Sequence, residues 1–168
     1  MPRRAVIWLI PILLTLHNAE EAIAFKRYLP AAQARLPLPL ASLEARLPYA
    51  ALLPALATLS ILAFLLALAV NLRPHSRQLL WLLLALEATM GLNVVAHLVS
   101  ATFVFHGYAP GLVTALLVNA PFAAYCFWRA KREQWVSPTA LRGTMPAAFV
   151  LHGPVLIAGL WIAAKLAR

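Results

Sequence analysis

"YAALLPALATLSILAFLLALAVNL", residues 49–72, runs its whole length without a charged side chain. About 20 mostly apolar residues in helical form suffice to cross the hydrocarbon core of a bilayer. Four further stretches have the same character, at about 5–25, 78–104, 110–129 and 146–166. The composition agrees, with 63% hydrophobic and 11% charged residues in a chain of 168. Soluble domains carry about a quarter charged residues. The chain therefore reads as one all-α domain over residues 1–168, a polytopic integral membrane helical bundle of about five transmembrane helices surrounded by membrane lipids.

The connections follow from the same pattern. "RYLPAAQARLPLPLASLEARLP", residues 27–48, has four prolines and mixed polarity. It cannot span, and is expected to form a loop with a short surface helix around 40–46. "RPHSR" at 73–77 predicts a tight hairpin that makes the second and third helices antiparallel neighbours. The start, "MPRRAVIWLIPILLTL", has the basic and apolar character of a signal peptide, with "AIA" at 22–24 as a cleavage-like site. Cleavage there would follow His17, Glu20 and Glu21, which do not belong in such a leader, so the segment reads as an uncleaved first helix.

The net charge of +9 resides in clusters between apolar runs, such as "FWRAKREQW" at 127–135. Basic residues in that position face lipid headgroups. No nucleic-acid motif accompanies them, and no nucleic-acid partner is expected. Arg and Lys are slightly more numerous on the N-terminal side, which predicts a multi-pass protein of the cell membrane with a cytoplasmic N-terminus. The lone Cys126 excludes an intrachain disulfide. Oligomeric state does not follow from the sequence.

Against this background "LHNAEEAIAF", residues 16–25, is costly. The chain has five acidic residues, and three of them, Glu20, Glu21 and Glu87, lie inside apolar segments. His17, His97, His152, Asn93 and Asn119 lie there too. Such groups turn to the bundle interior and need partners. His17 and Glu21 are i,i+4 on one helix face, as are Asn93 and His97. Depth along the first and third helices brings His17, Glu20, Glu21, Asn93 and His97 to one level, with Asn119 on the returning fourth helix. A second layer, Glu87 with His152, is expected nearer the N-terminal side. Pro11, Pro121 and Pro154 each free a backbone carbonyl close to one of these residues.

"HNAEE" at 17–21, "NVVAH" at 93–97 and "YAPG" at 108–111 resemble the HXXEE-domain family of bacterial integral membrane proteins. The resemblance extends over about two-thirds of the chain. It implies the membrane class and these site residues, but no reaction.

Two imidazoles and two carboxylates suit a divalent metal, Zn or Fe, with His17, Glu20, Glu21 and His97 as candidate ligands. His17, Glu20, Glu21, Asn93 and His97 are the candidate catalytic set, by metal-assisted or acid/base chemistry on a lipophilic small molecule. A small transporter or proton relay is the alternative, as is an accessory protein whose polar cluster is structural. "HGYAPG" at 106–111 reads as a turn, with Tyr108 at the interface. His75 and His106 are expected in solvent-facing loops, and the five tryptophans near segment ends. No Walker loop, dinucleotide fingerprint or catalytic-serine motif is present.

Overall fold

The computed structural model describes residues 1–35 and 49–166; the surface helix expected at 40–46 lies outside them. Five helical runs account for the described chain. Helix α1 is Arg3–Arg35 and α2 is Tyr49–Leu72. Helix α3 is Arg77–Val99, continued by the π-helical segment Ser100–Phe105. Helix α4 comprises Leu112–Thr114, the π-helical segment Ala115–Asn119, and Ala120–Arg132. Helix α5 comprises Pro138–Val150, the π-helical segment Leu151–Val155, and Leu156–Leu166. Among the described residues, five helices are long and apolar enough to cross a membrane.

Helix α1 packs along α2, α3 along α5, and α4 lies against α3 while touching α1 through its π-helical turn. The outward side chains are apolar, among them Ile23, Phe103 and Leu117, each more than 70% exposed. In water such a surface would be untenable; in lipid it is the expected one.

At the end of the bundle holding the N-terminus, packing is tight and apolar. Val6, Ile7, Ile10, Leu80, Leu83, Leu84, Cys126 and Ala130 form one cluster. Polar contacts tie its rim. Arg3 donates to the Pro74 carbonyl in the α2–α3 hairpin, and Arg129 to the Met1 carbonyl and to Glu133. Trp135 donates to Glu133 at 2.8 Å. These bonds place the N-terminus, the α2–α3 hairpin and the α4–α5 turn at one end, as helices that alternate in direction require.

The fifth helix starts earlier than its hydropathy suggests. Ser137 caps it by accepting from Ala140 N at 3.2 Å, and Pro138 opens it. Its first turns carry Thr139, Arg142, Gly143 and Thr144, which dilute the apolar signal. Trp81 donates to the Ala140 carbonyl and buried Thr144 to its own helix, so these turns pack against α3 although they are not strongly apolar.

Candidate functional site

The polar residues converge at the opposite end, where α3 gives way to the turn 106–111 and α4 begins. His17 of α1 is buried, at 1% exposure, and His97 of α3 lies beside it. Their Nε2 atoms are 3.2 Å apart, with the rings edge-on. Glu21 Oε1 lies 3.4 Å from His97 Nε2 and 4.0 Å from His17 Nε2. Asn93 Nδ2 is 2.8 Å from His17 Nε2 and 3.0 Å from His97 Nε2. The i,i+4 pairs meet as their spacing predicts.

The other ring nitrogens are held from outside the cluster. Thr114 Oγ1 lies 2.6 Å from Glu20 Oε2 and 2.8 Å from His17 Nδ1. A hydroxyl has one proton, and the carboxylate is the stronger acceptor. Thr114 therefore donates to Glu20 and accepts from His17 Nδ1–H. That leaves the His17 Nε2 lone pair facing the cluster. The Pro110 carbonyl lies against the His97 ring as a further acceptor. Histidines that ligate metals almost always have this outer partner, which fixes the tautomer.

Glu20 and Glu21 are adjacent in sequence and differ in employment. Glu20 accepts from Tyr108 OH at 2.6 Å, Val113 N at 3.1 Å, Thr114 N at 2.7 Å and Thr114 Oγ1. The first residues of α4 have no cap of their own, because the N-cap is Gly111. Glu20 supplies the missing acceptor from α1, and its negative charge suits a helix N-terminus. Glu21 instead joins His17 and His97. These three offer ligand atoms within 4.8 Å of one another. Glu20 is a candidate ligand by sequence; its two oxygens are occupied by Tyr108 and the first turn of α4.

Gly111 explains why the turn can come so close. Its φ is +81°, and a Cβ there would lie 2.8 Å from both His17 Cε1 and His97 Cε1, and 2.9 Å from Glu21 Cγ. Only glycine combines that conformation with that approach. Tyr108 is more than an interface residue: its hydroxyl is spent on Glu20, and burial together with that carboxylate pushes its pKa up to about 12. Thr114, Pro110 and Gly111 are not among the candidate residues that the sequence offers. Pro110 and Gly111 lie in "YAPG", which carries the family resemblance but reads as a turn, and Thr114 has no sequence signal apart from being the lone hydroxyl near the start of α4.

Other expectations are placed differently. Asn119 is buried on α4, and its Nδ2 has no hydrogen-bond partner among the described residues. Glu87 is buried within α3, near enough to Cys126 to interact with it electrostatically, and no hydrogen bond or ion pair joins it to His152 among the described residues. His152 interacts electrostatically with His97 instead. The early start of α5 moves His152 about two turns deeper than its hydropathy implies, from the level of Glu87 towards the cluster. His75 and His106 are exposed, as expected.

Every π-helical segment of the described chain adjoins this region. Ser100–Phe105 follows His97, Ala115–Asn119 follows Thr114, and Leu151–Val155 contains His152. Such turns are rare and occur mostly at functional sites. A cavity of about 180 Å³ opens against the cluster, lined by Glu21, Asn93, His97 and Ser100 with Phe25, Val104, Phe105 and Pro110 among its apolar walls.

Residues 8–126 match the family described as "protein of unknown function with HXXEE motif". The chain belongs to the HXXEE family. In this HXXEE protein the motif is His17-Asn18-Ala19-Glu20-Glu21, and each of its three named positions now has a partner. The matched region also contains Asn93, His97, Tyr108, Gly111 and Thr114, so the whole cluster lies inside it. The HXXEE chain is similar to the uncharacterized protein YrkK of Bacillus subtilis, at 32% identity over 108 residues. That alignment covers 64% of this chain and 63% of the relative. No solved structure matches.

Proposed function

We propose that His17, Glu21 and His97 form a divalent-metal site, and that the protein is an intramembrane enzyme acting on a lipophilic small molecule. The spacing of the three ligand atoms carries this reading. Ligands of a tetrahedral ion at 2.0–2.1 Å are about 3.3–3.4 Å apart, whereas adjacent ligands of an octahedral ion at that radius are about 2.9 Å apart. The observed separations of 3.2, 3.4 and 4.0 Å let one ion reach all three atoms, and this donor set suits Zn or Fe. Two neutral imidazoles and one carboxylate leave an open position, as catalytic zinc sites do.

A bound metal of this kind supplies Lewis-acid chemistry or a water acidic near neutral pH. The protein's own residues do the rest. Thr114 and Pro110 hold the two imidazoles in the tautomer that presents Nε2. Glu20 fixes Thr114. The cavity beside Glu21 and His97 has mainly apolar walls, which suits a hydrocarbon-like substrate entering from the bilayer. A furrow of about 290 Å³ on the other side, beside Glu20, has outward walls of Leu16 and Ile23. Its carboxylate is already committed, so the reactive side is that of Glu21.

The test is metal content of the protein purified in mild detergent, wild type beside His17→Ala. Near-stoichiometric zinc in the wild type and loss in the variant are expected. Equal content in both, or none in a wild type dialysed against zinc, refutes the metal reading. A cytoplasmic N-terminus and an external C-terminus are proposed as well, from five spans and the Arg/Lys bias; reporter fusions placing both termini on one side would contradict the five spans.

A further inference from the structure

Asn93 occupies a peculiar place in this cluster. Its side chain ends between two imidazole Nε2 atoms, 2.8 Å from one and 3.0 Å from the other. Both nitrogens accept when the outer ring nitrogens carry the protons, as the Thr114 contact dictates for His17. An amide that faces two acceptors presents its amino group and gives one hydrogen to each. The amino group thus covers the very lone pairs that a metal needs.

The terminal amide atom also completes a tetrahedron. With His17 Nε2, His97 Nε2 and Glu21 Oε1 it gives five known edges of 2.8, 3.0, 3.2, 3.4 and 4.0 Å. Their spread brackets the edge of about 3.3–3.4 Å expected around a four-coordinate ion. Half a turn about the last side-chain bond exchanges Nδ2 for Oδ1 at nearly the same point. That rotation replaces two donated hydrogen bonds by a carbonyl oxygen, a good ligand for a hard or borderline cation.

Resting on the metal reading above, we infer that Asn93 is the fourth ligand of this site and the one a substrate displaces. Without metal, the amino group holds the two imidazoles together. With metal, the amide turns and closes the site with Oδ1. Three features make this ligand the exchangeable one. It is neutral, so it binds more weakly than the Glu21 carboxylate. It has no outer partner among the described residues, whereas each imidazole has one. And it lines the 180 Å³ cavity, so an oxygen of an entering molecule can take its place. His17, by contrast, is not part of the cavity wall.

Co2+ is a suitable probe, because its visible absorption reports coordination number and ligand type. Detergent-purified wild type, Asn93→Asp and Asn93→Ala would be titrated with Co2+, with thermal unfolding run alongside. The wild type should take up one ion with the intense absorption of a four-coordinate site. Asn93→Asp, which keeps the shape and adds a charge, should bind at least ten-fold more tightly. Asn93→Ala should bind at least ten-fold more weakly, with an altered spectrum as water takes the position. Two folded variants with wild-type affinity and spectrum would overturn the assignment and leave the three-residue site intact. Weaker binding by a folded Asn93→Asp would overturn it as well. Failure of the wild type itself to take up Co2+ strikes at the metal reading, a separate and recognisable outcome. If Asn93→Ala does not fold, Asn93→Asp decides alone.

Discussion

The two ends of this bundle are built on different principles. The end near the N-terminus consists of regular α-helices with an apolar interior, Ile10, Leu83, Leu84 and Ala130 in contact, and its polar bonds lie at the rim. The other end interrupts α3, α4 and α5 with π-helical turns, buries His17 and His97, and sets half-buried Glu20, Glu21 and Asn93 around them. In lipid, apolar contacts gain little from the hydrophobic effect, because the hydrocarbon outside is as apolar as the leucines inside. The apolar end is held by close packing. The polar end is held by hydrogen bonds, and those bonds dictate orientation as well as contact. The difference teaches where specificity resides: the first end can be repacked, whereas the second depends on individual atoms.

The comparison breaks most visibly at Gly111. Gly111→Ala should cost roughly 2–4 kcal/mol, combining overpacking with left-handed strain, and should abolish metal uptake. Detergent unfolding and metal analysis measure both. A stable, metal-loaded Gly111→Ala protein would show that the turn does not fix the rings.

Next comes Glu20→Gln. The carboxylate accepts from four donors, and an amide nitrogen would face some of them, so a loss of about 1.5–3 kcal/mol is expected. Metal affinity should fall less than for any of the three proposed ligands, since Glu20 acts only through Thr114 and His17. The apolar end supplies the control. Leu83→Ala should cost about 1–2 kcal/mol, below the range for water-soluble cores because only the packing loss remains, and metal content should not change. A loss of metal in Leu83→Ala would mean that the two ends are not separable.

Glu21→Gln should change stability by about 1 kcal/mol or less, because a buried charge is costly to keep, yet it should remove metal uptake. The pair Glu20→Gln and Glu21→Gln thus exchanges its effects between the two assays, and identical behaviour of the two would erase the distinction drawn between them. The smallest effect concerns pH. Tyr108 donates to Glu20, and its pKa is raised from 10 to about 12. A raised folded-state value means that the bond's contribution is complete below about pH 10 and is lost as pH rises through about 12. Tyr108→Phe should cost about 1 kcal/mol at neutral pH, with the gap to wild type closing over that interval. A gap that is constant with pH would mean that the hydroxyl is not the source of the difference.

The sequence by itself determined the five long apolar helices, the burial of His17, His97, Glu87 and Asn119, and the pairing of residues four apart, but residues 27–35, read as the start of a loop, continue α1. Hydrophobic length and helical period are local properties, and His17 with Glu21, or Asn93 with His97, share a face whatever else is nearby. It also placed the α2–α3 hairpin and the meeting of His17 with His97, through their common depth. Only the tertiary structure decided what each face meets. Glu20 and Glu21 are about 100° apart on α1 in any arrangement, but α4 stands on one side and α3 on the other, and that alone makes one a helix cap and the other a candidate ligand. The start of α5 and the level of His152 were likewise hidden. A polar first turn that packs against α3 is indistinguishable, in hydropathy, from a loop. Thr114, Pro110 and Gly111 contribute through a hydroxyl, a carbonyl and the absence of a Cβ, and their value arises only where the backbone brings them against the two imidazoles.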